Sequence, residues 1–246
     1  MIIAVCNQKG GQAKSTTAQA IATGATQIGR KSLAIDLDPQ GNLTFSMGGN
    51  GADVGVYEFM IGRTTPGQTI QRTRQGDIIT ASKSLALADN NLTGKNRSIA
   101  LATALKPIKN KYDVITIDCP PTLNILLINA LMAADTVIIP ITADMYALQG
   151  LYLLKESIQA AQKVNTGLKI GGVLFTKHNT RTVLARELTG VIKDKCAELN
   201  IPVYNTVIRE GVAIREAQTQ RQSIFEYSPN SKPAKDYKQF IEELGL

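Results

Sequence analysis

Two lysines, Lys9 and Lys14, bracket the run Gly10-Gly11-Gln12-Ala13, and two hydroxyl residues, Ser15 and Thr16, follow at once. The apolar stretch before them, from Ile2 to Cys6, is too short for a helix and reads as a strand, while the alanine-rich stretch from Thr16 to Gln27 reads as a helix closed by Gly29. In a strand–loop–helix unit of this kind, successive backbone N–H groups and the helix N-terminus converge on one point, which favours a phosphate. Lys14 adds positive charge there, and the Ser15 hydroxyl can hold magnesium. The implied chemistry is binding of a nucleoside triphosphate, with Lys9 to Thr16 as its contact residues.

Three carboxylates are placed to join that loop. Ser32 to Asp38 reads as a strand ending in Asp36 and Asp38, before Pro39-Gln40-Gly41-Asn42. Tyr112 to Asp118 reads as another, ending in a single acid before Cys119-Pro120-Pro121-Thr122. Acids at the carboxyl ends of parallel strands lie at the edge where open α/β sheets bind ligands. A buried strand that delivers one carboxylate beside a phosphate loop is the Walker B arrangement, in which the acid orients a magnesium water.

A strict G-x-x-x-x-G-K-[ST] pattern is broken here, because Gln8 and Ala13 stand at the glycine positions. The pattern that fits is K-G-G-x-x-K-[ST]. Together with Asp36-Leu37-Asp38-Pro39-Gln40-Gly41-Asn42, Asp118-Cys119-Pro120-Pro121 and the C-terminal blocks Ile201–Arg209 and Ser223–Tyr237, it resembles the ParA/MinD family of deviant Walker A ATPases over nearly the whole chain. The resemblance implies hydrolysis of ATP with Mg²⁺, slow and stimulated by a partner. It implies that Lys14 neutralises the β- and γ-phosphates, that Lys9 reaches across an ATP-bound homodimer, and that Asp38 positions the attacking water. Ser15 and Asp118 would hold magnesium with support from Asp36. It further implies non-specific binding of double-stranded DNA through basic residues of the C-terminal third, here Arg181, Arg186, Arg209, Arg215, Arg221, Lys232 and Lys235, and release on hydrolysis stimulated by a ParB-like protein. Arg215 and Arg221 are the expected direct contacts. Three positions depart from the family pattern. Ala13 puts a Cβ where glycine lets the backbone pass close to phosphate, Gln12 replaces a small residue, and Arg215 lies two residues later than the arginine of many relatives.

A chain of 246 residues, 43% hydrophobic, suits one sizeable core, and a single domain over residues 1–246 is expected. No apolar run approaches 18 residues and no charged-then-apolar leader opens the chain, so a cytoplasmic protein without membrane contact is expected, and the family resemblance implies that it associates with the nucleoid. Cys6, Cys119 and Cys196 lack metal-site spacing, which leaves two small buried residues and one on a helix face. The net charge of +7 is local: residues 61–111 carry nine basic and two acidic side chains, and residues 177–246 carry eleven and nine. A local basic excess points to a polyanion partner, and with no base-reading motif in view it would act on phosphates. The cluster within 61–111 is expected to add a weaker long-range field to the C-terminal contacts.

Further elements follow the same alternation. Strands are expected at 77–81, 136–141, 169–176 and 201–209, and helices at 56–62, 146–164 and 180–199; a helix is also expected between Asn90 and Lys111, and a loop over 48–55. These add up to an α/β fold, a doubly wound and mostly parallel sheet with helices on both faces. His178 is expected in a surface turn. Four rival readings are a membrane-recruited ATPase like MinD, an electron-transferring reductase of the nitrogenase iron-protein kind, opposed by the lack of cluster cysteines at suitable positions, a nucleotide-binding scaffold weakened in hydrolysis by Gln12 and Ala13, and a small-molecule ligase using the same loop. The first needs a basic amphipathic C-terminal helix, and Glu242 and Glu243 oppose it.

Overall fold

Strand β1 (Ile2–Val5) sets the pattern for the rest: all four residues are buried, Ile2 and Ala4 in one apolar layer and Ile3 and Val5 in the other. A strand covered on both faces reads as a continuous apolar run, and that is why the sheet strands were legible. In the computed structural model, which describes residues 1–51, 53–144, 146–178 and 183–246, seven more strands join it. They are β2 (Ser32–Asp36), β3 (Ile70–Thr73), β4 (Gly76–Ile79), β5 (Val114–Asp118), β6 (Thr136–Ile141), β7 (Lys169–His178) and β8 (Val203–Arg209). The sheet order is β3-β4-β2-β5-β1-β6-β7-β8, parallel throughout except for the β3–β4 hairpin at one edge.

The helices are α1 (Lys14–Gln27), α2 (Asn42–Ser46), α3 (Val56–Met60), α4 (Pro66–Thr69), α5 (Ala88–Asn91), α6 (Ala100–Leu105), α7 (Ile125–Ala133), α8 (Ala147–Gln162), α9 (Val183–Glu198), α10 (Val212–Thr219), α11 (Ile224–Tyr227) and α12 (Lys232–Glu243). One layer packs Leu101, Leu127, Leu151, Leu154 and Ile158 against the sheet, and the other packs Ile21, Phe225, Tyr237 and Phe240. The fold is therefore the doubly wound α/β sheet expected.

Helix α1 lies close to α12 because its facing residues are small. A Cβ at Gly24 would run into the Ile241 side chain, and the Thr17 hydroxyl meets the Tyr237 hydroxyl at 3.1 Å. Burying Tyr237, Phe240 and Ile241 contributes roughly 1.5–3 kcal/mol for each such side chain. Asp236, in its second turn, and Glu243, at its end, anchor the same helix. Asp236 pairs with Arg209, and Glu243 accepts from the backbone N–H groups of Asn205 and Thr206 at 2.7 and 2.9 Å.

Several expectations need correction. The stretch from Asn90 to Lys111 is not one helix but α5, α6 and two short 3₁₀ turns. Gly94 adopts φ +88°, and Pro107 supplies no N–H to continue the ladder beyond α6. Strand β3 was unforeseen, although Ile70 to Ile79 carries a hairpin signal in the Thr73-Arg74-Gln75-Gly76 turn, where Gly76 has φ +122°. Helix α7 was also unassigned; Asn124 caps it, its side chain accepting from the N–H groups of Leu126 and Leu127 at 3.1 Å. His178 is no surface-turn residue: it ends β7, half-buried, with Nδ1 lacking a partner among the described residues. Cys196 is on a helix as expected, but fully buried.

Candidate functional site

Parallel register brings the acids and the loop to one edge. Asp118, the last residue of β5, lies opposite Val5 on one side and Asp36 on the other. The loop from Cys6 to Ala13 therefore leaves β1 directly beside the carboxyl ends of β5 and β2. Gly11 and Ala13 both take left-handed backbone conformations, φ +75° and +63°, which turn the chain from strand to helix. For Ala13 that conformation is strained, at a cost of roughly 1–2 kcal/mol.

A cleft of about 500 Å³ opens above this edge, lined by Gly10, Gly11, Ala13, Lys14, Ser15, Thr16 and Asp38. Its far wall is the turn from β8 into α10, including Ile208, Glu210, Gly211 and Ile214, with Lys177 and Thr176 from β7. Gln218 of α10 donates to the Thr16 hydroxyl at 3.0 Å and so ties that wall to the loop's helix. Sequence reading missed the wall, because Ile208, Gly211 and Ile214 carry no chemical signature and single charges such as Lys177 and Glu210 do not mark a nucleotide site.

The three carboxylates are buried and differ in what they hold. Asp36 accepts from the Thr44 N–H and hydroxyl, both at 2.7 Å, and from the Asp38 N–H at 3.1 Å. Burial pushes its carboxyl up to about 6 in spite of those bonds, and the Asp38 charge adds to the rise. Asp38 lines the cleft and accepts from the Gln40 N–H at 3.0 Å. Asp118 is fully buried, and neither of its carboxylate oxygens has a hydrogen-bond partner of good geometry. Burial and the Asp36 charge hold it well above the usual carboxylate range, and the Ser15 hydroxyl and Lys14 ammonium pull it only partly back. A buried acid with no well-formed hydrogen bond among the described residues, beside a hydroxyl and a phosphate-type loop, is a donor set that suits a hard divalent cation with oxygen ligands.

The two loop lysines point to different places. Lys14 is 7% exposed and faces the cleft, with Nζ donating to the Lys9 carbonyl at 3.4 Å. Lys9 is not part of the cleft lining. Its Nζ pairs with Asp144 at 2.7 Å and lies 5.5 Å from the centre of the Tyr146 ring. Thr142 donates its hydroxyl to the same Asp144 carboxylate. Gln12, the unusual residue, is also turned inward: Oε1 accepts from the Thr142 N–H at 2.6 Å and lies 2.9 Å from the Thr142 hydroxyl, whose one proton it shares with Asp144. Its side chain is pinned to the end of β6 and leaves the cleft unobstructed. Asp144 was missed in the sequence, although it follows a strand end as the other acids do. Beneath the loop, Cys6 donates from its thiol to Cys119 at 3.0 Å, and burial holds the Cys119 thiol well above its ordinary range.

The basic residues of the C-terminal third separate into groups. Arg215 stands exposed at the mouth of the cleft, and Arg221 stacks its guanidinium 4.4 Å from the Phe45 ring centre. Arg186, Lys232 and Lys235 are exposed on the outer faces of α9 and α12. Arg209 is held by both oxygens of Asp236, at 3.1 and 2.9 Å from Nε, so its charge is largely answered within the chain. Arg181 lies outside the described residues.

A protein-family model described as an AAA domain matches residues 1–170. The chain is 38% identical to the sporulation initiation inhibitor protein Soj of Bacillus subtilis (strain 168), covering 99% of this chain and 98% of that protein. It is 35% identical to the chromosome-partitioning ATPase Soj of Treponema pallidum (strain Nichols), covering 97% and 94%. Among solved structures, cobyrinic acid a,c-diamide synthase from Mycobacterium smegmatis superposes with a TM-score of 0.86 at 34% identity, covering 99% of this chain and 93% of that one. That protein was solved with ADP and magnesium and with an ATP analogue and magnesium.

Proposed function

The chain belongs to the Soj/ParA family of partition ATPases, and from that premise we propose that it works as a nucleotide-timed DNA clamp. In this reading it is one domain over residues 1–246. It takes up ATP with Mg²⁺, pairs with a second copy in the ATP state, holds double-stranded DNA without sequence preference, and releases it when a ParB-like protein stimulates slow hydrolysis. It would act in the cytoplasm on the nucleoid.

The carrying observation is the orphaned Asp118 beside Ser15 and Lys14 at the floor of a cleft of nucleotide size. These residues fit Mg²⁺: Ser15 and Asp118 would hold it, and Asp36, bonded to Thr44, would support them from behind. When bound, the metal offsets phosphate charge as the terminal phosphoryl group passes to water. Lys14 binds the β- and γ-phosphates, with Gly10 to Thr16 wrapping them. Asp38 faces the cleft with one oxygen free of the Gln40 bond and orients the water for attack. Lys9 is directed away from its own cleft, which supports a role toward a partner's nucleotide once its pairing with Asp144 is exchanged. Gln12 points away from the phosphates, which favours an active ATPase over a weakened scaffold.

DNA contact is assigned to Arg215 and Arg221, with Arg186, Lys232 and Lys235 contributing and Arg209 reduced by its pairing with Asp236. Against the MinD-like alternative, which needs a free amphipathic C-terminal helix, the apolar face of α12 is packed on α1. The name of the Mycobacterium neighbour defines a second reading, in which a carboxylate acceptor takes the phosphoryl group in place of water.

Sedimentation and phosphate release test the reading together. ATP with Mg²⁺ should convert monomer to dimer while ADP does not, and Lys9→Ala should keep some nucleotide binding but hydrolyse poorly. Phosphate release should need no organic acid and should rise with DNA and with a ParB-like protein. A wild-type chain that stays monomeric with ATP would sink the clamp, and strict dependence on an added carboxylic acid would favour the synthetase.

A further inference from the structure

The edge of the sheet opposite the nucleotide cleft carries a site of its own. An open hollow of about 390 Å³ lies where α1 runs into β2, beside the starts of β4 and β5. Arg30, Lys31, Arg72 and Lys111 surround it, all exposed. Two carboxylates are near. Asp77 accepts from the Tyr112 hydroxyl at 2.8 Å, and Asp113 accepts from the Lys31 backbone N–H at 2.8 Å. Among the described residues no ion pair engages any of the four cations.

These cations come from three separate stretches of chain. The turn after α1 supplies Arg30 and Lys31, the antiparallel strand β3 supplies Arg72, and the lead into β5 supplies Lys111. Only the sheet order, which sets β4 next to β2 and β2 next to β5, brings them together. Positive side chains also continue past the hollow: Arg74 lines an adjoining one, where Glu226 is the one acid, and Lys109 precedes Lys111. Solvated lysines scattered over a surface would show no such convergence. A single small anion would need only the hollow, whereas a row of cations longer than the hollow matches a chain of phosphates, such as duplex DNA with one charge per about 1.7 Å of axis.

We propose that this amino-terminal edge is a second DNA-backbone contact, one that works without nucleotide. Its cations are remote from the cleft, so neither ATP nor ADP alters them directly. A consequence rests on the ATP-bound dimer proposed above: with the two nucleotide edges facing each other, one amino-terminal edge is left outward at each end. Such a dimer bridges two DNA segments.

Anisotropy on a random-sequence duplex, with the full chain both nucleotide-free and loaded with ATP and Mg²⁺, tests the surface. The nucleotide-free wild type should bind at low salt with a log–log slope of about −3.6, for about four phosphates at −0.9 each. The variant Arg30→Gln/Lys31→Gln/Arg72→Gln/Lys111→Gln should lose at least about tenfold of that binding while keeping its ATPase rate and melting temperature. Bead-tethered DNA should capture a second, labelled duplex with ATP-loaded wild type but not with the variant. Equal nucleotide-free binding by variant and wild type would overturn the assignment. So would wild-type binding to phosphatidylserine vesicles or inorganic pyrophosphate with none to duplex. If nucleotide-free binding follows the four cations but ATP adds nothing, the clamp of the preceding section fails and this surface stands.

Discussion

At the carboxyl-terminal edge of the sheet Lys14, Asp36, Asp38 and Asp118 are each no more than 7% exposed, whereas at the amino-terminal edge Arg30, Lys31, Arg72 and Lys111 all face solvent. Two unit charges 4 Å apart interact by about 4 kcal/mol at an effective dielectric of 20 and by about 1 kcal/mol in water. The buried group is therefore a place where each charge matters singly: burial raises the Asp36 and Asp118 carboxyls, and the Lys14 ammonium pulls Asp118 only partly back. The exposed group acts as a sum. It loses little when one member is removed and much when salt is added. One sheet thus separates a compact, directional site from an extended and screened one, with strand polarity deciding which residues go to which edge.

The largest break in that contrast should come from Lys14→Ala. Removing the cleft's own cation should abolish measurable ATP binding and lower turnover by about 10²–10³-fold, the range seen when one preorganised charge-stabilising group is lost. Nucleotide-free DNA binding at low salt should stay as in the wild type; a parallel loss in both assays would show that the two edges are coupled. Next in size, Asp38→Ala should cut hydrolysis by about 100-fold, as expected for loss of one water-orienting carboxylate, and leave ATP binding and dimerisation in place. Wild-type phosphate release from this variant would remove Asp38 from its role.

The smallest effect sharpens the contrast from below. Burial pushes the Glu243 carboxyl up, but its bonds from Thr206 and Asn205 outweigh that and hold it below its ordinary value. A carboxylate depressed in the folded state stabilises above its unfolded pKa and loses that contribution as pH falls through the folded one. Glu243→Gln should therefore cost about 1 kcal/mol at pH 7, less than the roughly 1.5–3 kcal/mol of hydrogen bonds to a buried charge because the group is partly exposed. The difference from wild type should shrink below about pH 4. Thermal melts of both proteins across pH 3–7 would measure it, and a gap that does not change with pH would assign the effect to packing.

How legible this was in the sequence depended on burial. Strand β6 was readable to its ends, because Thr136 to Ile141 is apolar nearly throughout and packed on both faces. The phosphate loop and the three aspartates were readable because strand ends and glycines punctuate them. The partner of Lys9 was not, since Asp144 becomes meaningful only when β6 is placed beside β1. The role of Gln12 was opaque for the same reason: its hydrogen bonds run to Thr142, far along the chain. The amino-terminal cluster was half visible. The excess within 61–111 could be counted, but Arg30 and Lys31 belong to a segment of balanced charge and join it only through the strand order.

The close seating of α12 on α1 has a consequence for how the chain is made. Thr17 and Tyr237 are 220 residues apart, so α1 is synthesised long before the helix that covers its apolar side. Until then Ile21 and the alanines around it lack Tyr237, Phe240 and Ile241 as neighbours. At roughly 5–20 residues per second, a ribosome takes about 10–45 s to cover that distance. A nascent chain can pair β1 with β5 and β6 in that interval, but the helix carrying Lys14 and Ser15 is clamped only afterward. During synthesis the phosphate loop emerges long before the helix that fixes it.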